Sequence, residues 1–175
     1  MESIRVIELI IDEEDEISGI DAISIVDDPA IQEDFITLSS QEVKLAEVDK
    51  DKQILMGPAL IPNKKIFRKG ADDDNNDYYI YFSEETVKKA SELFFIKSKH
   101  QNSTFEHSFE LSDMSVVESW LIEDPKNDKA AAYGFDLPKG TWMVSMKVLN
   151  DDVWRAVKEG EVKGFSIEGY FADGL

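Results

Sequence analysis

With 175 residues, 42% of them apolar and including three Trp and ten Phe, the chain is about one domain long and can fill a packed core. It contains no cysteine, which excludes disulfides, thiolate metal sites and a cysteine nucleophile, and it therefore needs no oxidising compartment. The net charge is −18, and residues 1–50 carry −12 of it, with 15 Asp and Glu against 3 Lys and Arg; such a surface repels phosphate backbones and argues against direct nucleic-acid binding.

The chain opens on MESIRVIELIIDEEDE, which lacks a basic n-region, and no stretch approaches the roughly 20 apolar residues of a membrane span, so no membrane partner is expected. Ile4 to Ile11 is a dense apolar run of strand length, ended by the acidic turn Asp12 to Glu16 and by Gly19. Ile20 to Val26 is a second short apolar run, stopped by Asp27-Asp28-Pro29. Residues 1–40 are read as a separate acidic segment, a propeptide or docking element, and 41–52 as a linker. Its charge reads first as a solubilising face and second as a docking surface.

The main domain is expected over 53–175. Ile54 to Pro62 is an apolar strand broken at Gly57-Pro58, and Lys65 to Arg68 continues it or pairs with it. The polar run Gly70 to Asp77 resembles a calcium loop only superficially, because Gly and Glu are missing at the sixth and twelfth positions; a solvated hairpin tip is the simpler reading, and no metal site is expected. Tyr78 to Phe82 is strand-like, and Ser83 caps a helix from Glu84 to about Lys97 with Val87, Ala90, Leu93 and Phe94 on one face. Strands are then expected at Thr104–Phe109, Ser115–Glu123, Thr141–Leu149 and Gly164–Phe171. Between the last two, Asn150 caps a short helix with Val153, Trp154 and Val157 inward and Gly160 as its stop. These elements describe an α+β fold: a small, mostly antiparallel β-barrel with a few flanking helices.

The chemistry concentrates on two segments, Phe105-Glu106-His107-Ser108 and Lys163-Gly164-Phe165-Ser166-Ile167-Glu168-Gly169. A serine hydroxyl needs a base to become a nucleophile, and the chain has only two histidines. His100 lies in a polar loop, whereas Phe105, His107 and Phe109 share one face of a strand by period-2 alternation. Ser166 sits in an apolar strand flanked by Gly164 and Gly169, which permit close backbone approach. It is not the nucleophile elbow of α/β-hydrolases, since Glu168 occupies the position where a glycine is required. Taken alone, either residue reads as structural. Three carboxylates could orient the histidine: Glu118, which alternation puts on the face of Trp120 and Ile122, then Asp124, then Glu168.

The set Gly57-Pro-Ala-Leu-Ile-Pro62, Tyr78-Tyr-Ile-Tyr-Phe-Ser83, Glu106-His107, Glu118-Ser-Trp120, Lys139-Gly-Thr-Trp142 and Val162-Lys-Gly-Phe-Ser-Ile-Glu-Gly169 resembles the XkdF-like serine protease family of tailed phages. Gly19 to Ala30 resembles that family's N-terminal region as well. The family is similar to prohead maturation proteases, which share the barrel of herpesvirus assemblins. The resemblance implies a serine endopeptidase with His107 as base and Ser166 as nucleophile, no cofactor, and capsid and scaffold proteins as substrates. It also implies action in the host cytoplasm inside the assembling prohead, and self-association by analogy with assemblins, which dimerise. Assemblins place a second histidine after the serine; none follows Ser166 here, so a carboxylate must serve, Glu118 first, or the site is a dyad. Family members usually continue past the equivalent of Leu175, which implies truncation or self-cleavage. The rival expectations are a catalytically silent assembly protein with the same fold and a calcium-dependent module using Asp72 to Asp77.

Overall fold

The computed structural model describes residues 4–38, 52–70 and 75–174. Its strands are β1 (Arg5–Ile10), β2 (Gly19–Val26), β3 (Ile36–Leu38), β4 (Ile54–Leu60), β5 (Ile66–Arg68), β6 (Tyr78–Phe82), β7 (Ser103–Phe105), β8 (Phe109–Leu111), β9 (Met114–Leu121), β10 (Trp142–Val148), β11 (Gly164–Tyr170) and β12 (Ala172–Gly174). Three helices, α1 (Glu84–Ile96), α2 (Lys129–Ala132) and α3 (Asp151–Lys158), complete the α+β fold.

Most strand pairs are antiparallel, as expected, but the strands group into three four-stranded sheets, β12-β1-β6-β5, β3-β4-β10-β9 and β11-β2-β7-β8. None of the three closes on itself into a barrel. β5 pairs with β6 and not with β4.

The acidic first segment is built into these sheets. β1 lies between β6 and β12, and β2 between β7 and β11. The physical reason is that the apolar runs and the acids occupy different positions. Ile20, Ile23 and Ile25 are buried, while Asp12 and Asp15 sit in the intervening turn and accept the backbone N–H groups of Glu14 and Ile17 at 3.0 Å each. Turn acids set the composition of the segment and strand isoleucines set its place. The linker expected at 41–52 lies outside the described residues except for Lys52.

Helix α1 forms where the sequence predicts it. Ser83 accepts the N–H of Thr86 at its N-cap, and Val87, Ala90 and Phe94 are buried. Phe94 meets Trp142 of β10 edge-on, with ring centroids 5.4 Å apart, at the centre of the core. Helix α3 is capped by Asn150, whose side chain accepts the N–H groups of Asp152 and Val153. On β11, Phe165 is buried against Phe35 at 5.2 Å, an anchor worth about 1.5–3 kcal/mol in burial alone, and it fixes which face of β11 turns away from the core.

Candidate active site

The site forms on the polar face of the β11-β2-β7-β8 sheet. Phe165 and Ile167 on β11 and Ile23 and Ile25 on β2 take the apolar face, so Ser166, Glu168 and Ser24 take the other. Ser166 pairs directly with Ser24 across the two strands, and Ser24 in turn lies beside Thr104 of β7. A row of three hydroxyl residues thus crosses the sheet.

His107 is not on a strand. Phe105 pairs with Phe109, and Glu106-His107-Ser108 form the tip of the β7–β8 hairpin, closed by the Ser108 N–H donating to the Phe105 carbonyl at 3.0 Å. The phenylalanine spacing imitates strand alternation but belongs to two strands that face each other. Glu106 and His107 both adopt the left-handed region, with φ of 52° and 56°, where glycine or asparagine is usual in such turns. Strain of this kind persists where the surroundings over-determine it. Here the Glu106 N–H donates to the Ile25 carbonyl at 3.0 Å, the Glu106 carboxylate accepts the Asp27 N–H, and the His107 N–H donates to Ser24 Oγ at 2.9 Å. Ser24 itself is fully buried, and its hydroxyl donates to the Thr104 carbonyl at 3.4 Å. The hairpin tip is clamped to the end of β2.

That clamp aims the imidazole at β11. His107 Nδ1 lies 2.9 Å from Glu168 Oε1, and the other carboxylate oxygen accepts the Thr104 hydroxyl at 3.1 Å. An ionised carboxylate only accepts, so a neutral imidazole held in this contact carries its proton on Nδ1 and its lone pair on Nε2. Ser166 stands two residues before Glu168 on the same face, about 6.6 Å away along the strand. Its hydroxyl makes no hydrogen bond among the described residues, which leaves it unengaged beside the histidine–carboxylate pair.

The first two carboxylates expected to orient His107 are committed elsewhere. Glu118 lies on β9 in another sheet, where Lys129 Nζ reaches its two oxygens at 2.6 and 2.7 Å and Ser145 donates at 2.9 Å. Burial pushes its carboxyl up, but the hydrogen bonds from Lys129 and Ser145 and the lysine charge outweigh it and hold the group below the usual carboxylate range. The partner that an acid on this face required is Lys129, whose ammonium also lies 5.5 Å from the Trp120 ring centre. Asp124 accepts from Asn127 and from the Lys126 N–H in an exposed turn; these bonds lower its pKa, and it does not reach His107. Glu168, the third choice from sequence, is the carboxylate in contact. The signal that could have promoted it is its i+2 relation to Ser166.

Two further expectations change. His100 is not a solvated loop residue: it stacks on Phe95 with ring centres 5.9 Å apart, and its Nδ1 is buried without a partner among the described residues. In the acidic run, Asp77 accepts the Gly70 N–H at 2.8 Å, as in a turn, and residues 71–74 lie outside the described residues. The glycines around Ser166 serve the chain's own packing. A Cβ on Gly164 would meet Pro29 at 2.5 Å, and one on Gly169 would meet the Gly19 carbonyl at 2.1 Å.

No curated protein and no solved structure matches the chain. The sequence model of the family described as "Putative phage serine protease XkdF" matches residues 42–173, beginning after β1 and β2 and including His107, Ser166 and Glu168. The match spans well over half of the sequence, and the chain belongs to this family.

Proposed function

We propose that the protein is a serine endopeptidase in which Ser166 is the nucleophile, His107 the general base and acid, and Glu168 the group that orients His107. The observation that carries this reading is the 2.9 Å contact between His107 Nδ1 and Glu168, on the strand face that also bears Ser166. His107 Nε2 takes the Ser166 proton as Oγ attacks a peptide carbonyl carbon, and the imidazolium formed is stabilised by Glu168. The same proton passes to the amine as the C–N bond breaks, leaving an acyl ester on Ser166. Water, deprotonated by His107, hydrolyses that ester and restores the site. None of these steps calls for a cofactor.

By resemblance to prohead maturation proteases, the same proposal takes phage structural proteins as substrates: capsid and scaffold chains, with this chain itself as a further substrate, cut in the host cytoplasm inside the assembling prohead. Dimerisation belongs to the same proposal, by analogy with assemblins. A second reading, an assembly protein without activity, is favoured by one observation: Ser166 and His107 share no hydrogen bond. Catalytic contacts often tighten only when substrate is bound, so the gap does not remove the first reading.

The test is co-expression of wild type, Ser166→Ala or His107→Ala with the neighbouring capsid and scaffold proteins, followed by intact-mass analysis of every chain. Shortened chains that vanish with either substitution support the peptidase. Identical masses throughout support the silent assembly protein.

A further inference from the structure

Among the described residues β11 is an edge strand: it pairs with β2 on one side and with no strand of its sheet on the other. Beyond that open edge, bounded opposite by β1, β6 and β5, lies a cavity of about 380 Å³ that Ser166 helps to line. An edge of this kind is where an extended peptide adds itself by main-chain hydrogen bonds. The cavity wall facing it has an ordered composition.

The register of β1, β6 and β5 arranges that wall in cross-strand rows. Ile7, Ile80 and Ile66 form one apolar row, and Leu9 with Phe82 begins another. At the opposite end, Arg5, Tyr78 and Arg68 stand side by side. The whole chain has three arginines, and two of them flank Tyr78 here, on the strands to either side of it. Among the described residues neither has an ion pair or a side-chain hydrogen bond, in a protein with 37 Asp and Glu. Among the described residues the one carboxylate on the cavity lining, Asp173, is paired with Leu9, four residues from Arg5 along β1 and so about 13 Å distant.

Two guanidinium groups left free at the end of an apolar trough are a receptor for a carboxylate, which each can bind through two N–H donors. The geometry points to a substrate subsite: a peptide strand lies along the free edge of β11, and one Glu or Asp side chain of it is received by Arg5 and Arg68. Arg5, Ile7 and Leu9 recur at every second residue, the period of side chains on one face of an extended peptide. The favoured segment therefore carries an acidic residue with an aliphatic one two positions away. This subsite rests on Ser166 being the nucleophile and adds the substrate class to that reading.

The test uses the full chain and two pools of fluorescein-labelled peptides, identical except that one has Glu and the other Gln, each with Leu two positions away. Binding is read by anisotropy on Ser166→Ala, and cleavage by mass spectrometry on wild type. The Glu pool is expected to bind about tenfold more tightly, and that ratio to fall to about one when Ser166→Ala also carries Arg5→Gln and Arg68→Gln. Restoring positive charge with Arg5→Lys and Arg68→Lys should recover part of the preference, which separates lost charge from lost packing. Equal binding of the two pools, or a preference that survives Arg5→Gln with Arg68→Gln, overturns the subsite. Cleavage by wild type without Glu preference also overturns it while leaving the peptidase standing. Tight binding of the Glu pool with no cleavage overturns the peptidase reading, and with it the cavity as a substrate subsite.

Discussion

Glu118 and Glu168 occupy matching positions in two different sheets. Each carboxylate accepts one hydroxyl and one nitrogen base: Ser145 and Lys129 at Glu118, Thr104 and His107 at Glu168. The difference lies in the base. A lysine ammonium has its single nitrogen already spent on the pair and holds its proton at neutral pH, so the Glu118 cluster ends there. An imidazole has a second nitrogen, so a carboxylate at Nδ1 leaves Nε2 free to accept a proton from a neighbour. Carboxylates of similar surroundings can thus serve opposite ends, one tying α2 to β9, the other holding an imidazole by one nitrogen on the strand face that bears Ser166.

Removing the two bases breaks this comparison most sharply. His107→Ala should reduce cleavage of a susceptible scaffold or capsid chain by about 10⁴-fold, whereas Lys129→Ala should leave the rate within about twofold, both read from initial rates. The carboxylates follow. Glu168→Gln keeps the shape but no longer holds the proton on Nδ1, and a loss of about 10²-fold in kcat is expected with little change in KM. Ser24 tests whether the hairpin clamp matters to the imidazole: Ser24→Ala removes the acceptor of the His107 N–H, and should cost about 1 kcal/mol in chemical denaturation and about tenfold in rate.

The smallest effect belongs to Glu118→Gln, which should leave cleavage unchanged and lower stability by less than about 1 kcal/mol. Because the folded pKa of Glu118 lies below its ordinary value, its stabilising contribution is present above the ordinary carboxylate pKa and disappears as pH falls through the folded value. Urea midpoints of wild type and Glu118→Gln should therefore differ near pH 7 and converge in acid. A gap that widens on acidification would contradict the Lys129 pairing.

Much of the fold was legible because its signals are local. The Ser83 and Asn150 caps, the apolar faces of α1 and α3 and the strands around Tyr78, Trp142 and Phe165 all follow from residues within one turn or one strand. What local pattern does not carry is which strands meet. Glu168 reaches His107 only because β2 brings β11 and β7 to its two sides, a pairing set by buried isoleucines far from both in sequence, so the i+2 relation that puts Glu168 on the face of Ser166 does not by itself place it beside His107. The hairpin tip was hidden for the opposite reason. Glu106 and His107 take a turn conformation that their own propensities do not announce, and hydrogen bonds from β2 impose it. Helix α2, four residues long, is too short for any periodicity to reveal.

The strand order ties residues 5–26 to residues 164–174, with β1 joined to β12 and β2 to β11. During synthesis the first two strands leave the ribosome about 140 residues before these partners exist, and loop closure of that span comes late in folding. Ser24 cannot face Ser166, nor Glu168 reach His107, until that closure is made. The His107–Glu168 contact is therefore assembled in one step, when β11 and β12 dock onto β2 and β1.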